Sequence, residues 1–148
     1  MEMKTTLKTI LYAEDSSFDV ELTRNVLKKN NILNPLAVVS DGVEALEYLH
    51  RTGAYADRPR GNPGMILLDL KMPRMDGLEL LDILKKDEQF KTIPIIMLTS
   101  SREESDLIKG YNLGVNAYVV KPVDFKDFTE VVREIGIFWA IINEVPTE

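Results

Sequence analysis

The chain has 148 residues, a formal net charge of −6, no cysteine and one histidine, His50. That length suits one domain with a core of its own. The missing cysteines exclude disulfides, thiolate metal sites and cysteine nucleophiles, and the lone histidine excludes multi-histidine metal sites. The acidic balance disfavours direct binding to nucleic acid or to an anionic membrane, both of which want basic patches. Hydrophobic residues at 45% and charged residues at 28% are those of an ordinary globular protein. Met1 to Lys8 lacks the apolar core of a signal peptide, and no segment is long enough to span a bilayer, so the expectation is a soluble, cytoplasmic protein.

Thr9 to Ala13 is a short β-prone apolar run that ends at Glu14-Asp15. Ser16-Ser17 then supply a helix cap, Val20, Leu22, Val26 and Leu27 an apolar helical face, and Asn30-Asn31 its stop. Leu36 to Val39 is a second apolar strand, closed by Ser40-Asp41-Gly42, and Val43, Leu46, Tyr48 and Leu49 follow with helical spacing to His50, which suits a helix C-terminus. Gly53 to Gly64 reads as a polar loop rich in Gly, Pro and Arg. Met65 to Leu68 is a wholly apolar run that stops at Asp69, the signature of a strand buried on both faces.

Asp76-Gly77 opens a helix carrying Leu78, Leu80, Leu81, Ile83 and Leu84, with Lys85-Lys86 at the end the helix dipole favours. Ile93 to Leu98 is a strand with Pro94 at its start, and Thr99-Ser100-Ser101 before Glu103 and Glu104 begins a weakly apolar helix to about Asn112. Ala117 to Val120 is a last strand ending at Lys121-Pro122, and Asp124 caps a long final helix. Strand and helix alternate about five times, which predicts an α/β fold: a doubly wound, five-stranded parallel sheet of the flavodoxin-like order 2-1-3-4-5, with helices on both faces.

Parallel strands put their carboxyl ends on one edge, where such sheets bind ligands. Glu14, Asp15, Asp69, Thr99 and Lys121 each close a predicted strand and so converge there. Crowded carboxylates repel unless a cation joins them, and an all-oxygen set without histidine or thiolate suits a hard ion such as Mg²⁺ (or Mn²⁺). Lys121 and Thr99 offer a positive charge and a hydroxyl donor to an anion, with phosphoryl the obvious candidate, and an Asp carboxylate is an accepted nucleophile for it. Taken singly, each residue has a plainer role: Glu14-Asp15 at a helix N-terminus, Asp69 and Thr99 as caps, Lys121 in solvent. Asp76-Gly77 is assigned to the turn and given no chemistry.

From about Lys8 to Trp139 the chain resembles the receiver domains of two-component response regulators. Glu14-Asp15 matches the acid pair of that family, and Asp69-Leu-Lys-Met-Pro-Arg-Met-Asp-Gly77 its phosphoacceptor segment. Thr99 and Lys121-Pro122 match the hydroxyl and lysine–proline positions, and Tyr118 the aromatic switch position. The resemblance implies that Asp69 takes a phosphoryl group from a phosphohistidine on a sensor kinase. It implies Mg²⁺ held by Asp15, Asp69 and the Lys71 backbone carbonyl, with Glu14 acting through water. Thr99 and Lys121 would contact the phosphoryl oxygens, and Thr99 moving inward would let Tyr118 rotate, altering the face made by the helices after Thr99 and after Lys121. The Lys121-Pro122 peptide would be cis.

Ser100 stands where the family usually has a smaller residue, and the Gly53 to Gly64 loop is long for a minimal receiver. That loop and the Phe138-Trp139 end look like stand-alone receivers that serve phytochrome-type and related hybrid kinases. The expected organisation is a single receiver domain over residues 1–148, its core at about 8–144, without an output domain. Output would then be a surface read by another protein, and Ile135, Phe138, Trp139 and Ile142, covering more than one helical face, are the candidates for a homodimer contact. A phosphatase of the haloacid dehalogenase type is the main rival, but it wants a second Asp where this chain has Lys71. A flavodoxin-like FMN binder would have its phosphate repelled by Glu14-Asp15, and the complete acid, hydroxyl and lysine set argues against a receiver fold used only for binding.

Overall fold

The computed structural model describes residues 8–100 and 117–134. In chain order these form β1 (Ile10–Ala13), α1 (Ser17–Lys29), β2 (Leu36–Val39), α2 (Gly42–His50), a 3₁₀ turn (Gly53–Tyr55), β3 (Met65–Asp69), α3 (Gly77–Lys86), β4 (Ile95–Thr99), β5 (Ala117–Val120) and α4 (Phe125–Glu134). All five strands are parallel, in the order β2-β1-β3-β4-β5, as the alternation predicts. The helix expected up to about Asn112 and the dimer candidates Ile135, Phe138, Trp139 and Ile142 lie outside the described residues.

Successive strand side chains point to opposite faces of a sheet, and here that alternation builds two separate cores. Leu11, Ala13, Ile66, Leu68, Ile95 and Met97 pack with Tyr48 and Leu49 of α2, with Leu80, Leu81 and Leu84 of α3, and with Phe90. Ile10, Tyr12, Met65, Leu67, Ile96 and Leu98 pack on the other face with Val20 and Leu27 of α1 and Phe128 of α4. The sheet is therefore doubly wound, and β3, buried along its whole length, is its centre.

Polar side chains start all four described α-helices, with Asp124 Oδ1 accepting from the Asp127 amide at 2.9 Å at the head of α4. Ser16 Oγ accepts from the Asp19 amide at 3.2 Å, Asp41 Oδ1 from the Glu44 amide at 2.9 Å, and Asp76 Oδ1 from the Glu79 amide at 2.9 Å. On α1 the buried face is Val20, Thr23 and Leu27, while Leu22, expected inside, is exposed. Thr23 takes its place because its hydroxyl meets the buried Tyr12 hydroxyl at 3.2 Å. Ile83 on α3 is likewise exposed. The segment 53–64 is more ordered than a polar loop. Arg58 lies over the Tyr48 ring at 4.2 Å and donates to the Tyr48 and Leu49 carbonyls in the last turn of α2. Tyr55 stacks edge-on against Tyr48 and donates to Glu44.

Gly77 begins α3 hard against the strand that carries Asp69. A methyl group there would lie 2.3 Å from the Asp69 carbonyl oxygen and 3.1 Å from the Leu70 Cα, both backbone atoms. Gly77→Ala is expected to destabilise the fold by about 1–3 kcal/mol, read as a lower urea midpoint at an unchanged slope.

Candidate functional site

The parallel register brings the carboxyl ends of β1, β3, β4 and β5 to one edge. Ala13 pairs with Leu68, Asp69 with Leu98, and Thr99 with Val120, so residues just past these positions share a small volume. Glu14 is buried, Asp15 is exposed, and Asp69 is buried at the end of β3. Lys121 Nζ lies 2.7 Å from Glu14 Oε1 and 2.9 Å from Asp69 Oδ1. The Lys121 amide donates to the Thr99 carbonyl at 2.7 Å, which fixes where this lysine leaves the sheet, and the Lys121-Pro122 peptide that follows is cis.

Burial raises the Glu14 and Asp69 carboxyls above the ordinary carboxylate range, and the Lys121 ammonium offsets this only in part. Burial alone would lower the Lys121 ammonium, but hydrogen bonds to Glu14, Asp69 and Asp19 carry it well above the ordinary lysine value. Tyr12, buried beneath the site with its hydroxyl 3.4 Å from Glu14 Oε1, is raised by the same desolvation and stays neutral.

Glu14, Asp15 and Asp69 each offer a ligand oxygen within 4.8 Å of the others, the one such trio among the described residues. Three carboxylates, one of them open to solvent, fit a hard divalent ion of modest size that keeps waters in its shell. Thr99 is fully buried on β4, and Tyr118 is half-buried on β5 against the core shared with α2 and α3. Lys71 lies exposed in the β3–α3 loop, two residues past Asp69.

Two features escape a reading of the sequence. Asp19, in the first turn of α1, places Oδ2 3.0 Å from Lys121 Nζ. Its signal was hidden, because an acid three residues after a capping serine reads as part of the cap. The second is a clamp behind the site. Arg74, held at φ +60° in the β3–α3 loop, donates from Nε to Asp41 Oδ2 at 2.7 Å and from Nη2 to Asp41 Oδ1 at 3.1 Å. Burial would raise the Asp41 carboxyl, but the Arg74 fork and the Glu44 amide bring it below its usual value. Strand two thus supports the site without entering it, and nothing in the spacing of residues 41 and 74 announces the pair.

An acid trio closed by a lysine, on the carboxyl edge of a doubly wound sheet of order 2-1-3-4-5, defines a protein that handles a phosphoryl-like anion beside a cation. The chain belongs to the response regulator receiver domain family, whose profile matches residues 10–133. It is a phosphoacceptor of two-component signalling. Response regulator Rcp1 of Synechocystis sp. is 41% identical over 132 residues, 89% of this chain and 88% of that protein. The Mn²⁺-bound crystal structure of Rcp1 aligns at a TM-score of 0.70 and 39% identity, over 95% of this chain and 99% of that one. The bacteriophytochrome response regulator AtBRR aligns at 0.89 and 50% identity, over 95% and 100%. The phosphorylated cyanobacterial phytochrome response regulator RcpA aligns at 0.72 and 35% identity, over 95% and 99%.

A carboxyl raised in the folded state opposes folding once ionised. The penalty is full above the raised folded value and vanishes below the ordinary carboxylate range, where both states are protonated. Asp69→Asn removes it, so in chelator at neutral pH this variant should be more stable than the parent by about 1 kcal/mol. The gap should narrow as pH falls through the carboxylate range, followed by thermal unfolding at each pH.

Proposed function

We propose that Asp69 is the phosphoryl acceptor and that Glu14, Asp15 and Asp69, with the Lys71 backbone carbonyl, form the cation site. The observation that carries this reading is the Asp69 carboxylate, set 2.9 Å from the Lys121 ammonium and within ligand reach of two further acids. An oxygen of Asp69 forms the new O–P bond as the N–P bond of a donor phosphohistidine breaks, leaving its electron pair on the imidazole nitrogen. Lys121 neutralises charge on the transferred oxygens and Thr99 donates its hydroxyl to one of them. Mg²⁺, when bound, supplies further charge neutralisation for a reaction that needs mostly positioning and electrostatics. The Mn²⁺ in the Rcp1 structure supports a divalent ion here, with Mg²⁺ the physiological choice.

Thr99 and Tyr118 then act as the switch, sitting on neighbouring strands β4 and β5, and the reporting surface lies beside them. A sensor histidine kinase is the donor. The similarity to AtBRR and RcpA supports a phytochrome-type kinase, and a cytoplasmic location agrees with no described helix being long and apolar enough to cross a membrane. The apolar residues Ile135, Phe138, Trp139 and Ile142 favour a homodimer that presents the switched surface to a downstream protein. The phosphatase alternative loses ground at Lys71, where an acid/base Asp would be required.

Incubation with Mg²⁺ and acetyl phosphate should add one phosphoryl group by mass, removable with hydroxylamine and absent in Asp69→Asn or in excess chelator. Labelling that survives Asp69→Asn would reject Asp69 as acceptor, and rapid turnover of small phosphate esters would favour the phosphatase. Trp139→Glu should sediment as a folded monomer at concentrations where the parent is a dimer; an unchanged mass would remove these residues from the interface.

A further inference from the structure

Ser16-Ser17-Phe18-Asp19 has the spacing of a capping box, in which the acid turns back to the amide of the capping serine. Here that amide is taken, since Ser16 N donates to Glu14 Oε2 at 3.2 Å. Ser16 Oγ still accepts from the Asp19 amide, so the cap is half made and the Asp19 carboxylate is released from it. The released carboxylate, a third exposed, reaches the Lys121 ammonium at 3.0 Å.

Lys121 therefore has three carboxylate partners, and they are not equivalent. Glu14 and Asp69 are also members of the trio that fits a divalent cation; Asp19 is not. The ammonium and the cation compete for the carboxylates of Glu14 and Asp69, and their like charges repel at close range. An ammonium left with only those carboxylates would have to stay and exclude the metal or leave unpaired. For an ammonium partly buried among acids, neither state is favourable.

We propose that Asp19 is a positioning residue that keeps Lys121 paired at the edge of the cluster while Glu14 and Asp69 serve a divalent cation. This rests on the reading of Glu14, Asp15 and Asp69 as a cation site. Asp19 touches neither the phosphoryl group nor the cation; it acts through Lys121, and its contribution is to let a lysine and a metal share one acidic pocket. The geometry also makes the helix cap part of the site, because Glu14 frees Asp19 by occupying the Ser16 amide.

The test is a calorimetric titration of the metal-stripped chain with Mg²⁺. Asp19→Asn keeps the amide that caps α1 and should weaken Mg²⁺ by about three- to tenfold, with Asp19→Glu recovering most of the loss. In a Lys121→Gln background, Asp19→Asn should have no further effect, since there is no ammonium left to hold. The same loss in both backgrounds would make Asp19 only a nearby negative charge and would overturn the proposal, as would no loss in the parent. A parent that binds no Mg²⁺ at all would instead overturn the cation-site reading beneath it. Should Lys121→Gln fail to fold, reductive methylation in saturating Mg²⁺ decides: Lys121 should react severalfold faster in Asp19→Asn than in the parent, and equal rates would sink the idea.

Discussion

Three carboxylates converge on the ammonium of Lys121, at 2.7, 2.9 and 3.0 Å, and this convergence joins parts of the chain 107 residues apart. Glu14 belongs to the end of β1, Asp69 to the end of β3 and Asp19 to the start of α1, while Lys121 follows β5. Buried acids are tolerable only with a counter-charge, and a charge this far along the chain can arrive only if every strand between is in register. The site thus depends on the whole sheet. The dependence runs the other way with opposite sign, because Glu14 and Asp69 remain raised above the ordinary carboxylate range. The scaffold carries carboxyls at its sheet edge that oppose its own stability.

Holding the Asp69 carboxylate in place takes support from neighbouring segments. Gly77 lets α3 begin directly against the Asp69 carbonyl, where no side chain would fit. The Asp41–Arg74 fork and the Gly42 amide, which donates to the Met75 carbonyl at 3.1 Å, tie the loop after Asp69 to the first turn of α2. At the other end of α2, Arg58 covers Tyr48 and takes the last carbonyls, and Tyr55 reaches back to Glu44. The segment 53–61 therefore braces a helix whose opposite end braces the loop after Asp69. Burial and the Glu44 carboxylate raise the Tyr55 hydroxyl to about 12, so it remains a hydrogen-bond donor at neutral pH.

The parallel sheet, its doubly buried strands and the set of residues at its carboxyl edge were legible in the sequence, because each follows from local pattern. Runs such as Met65 to Leu68 declare a doubly buried strand, and alternation with helices forces parallel pairing and convergence of strand ends. Helix starts at Ser16, Asp76 and Asp124 were equally local, since a cap is a bond between neighbours. The apolar period failed at Leu22 and Ile83, where a single exposed face offers no pressure against a stray hydrophobe, and at Thr23, whose burial follows from a partner on β1.

What only the tertiary structure decided is which charges meet. Asp19 looks like half of a helix cap until the Ser16 amide is found on Glu14 and the freed carboxylate on Lys121. Asp41 looks like a cap and nothing more until Arg74 arrives from another loop with two donors. The reason is physical: apolar burial and capping are set by spacing along the chain, whereas an ion pair is set by distance in space. A pair 33 or 102 residues apart leaves no period for a sequence to display.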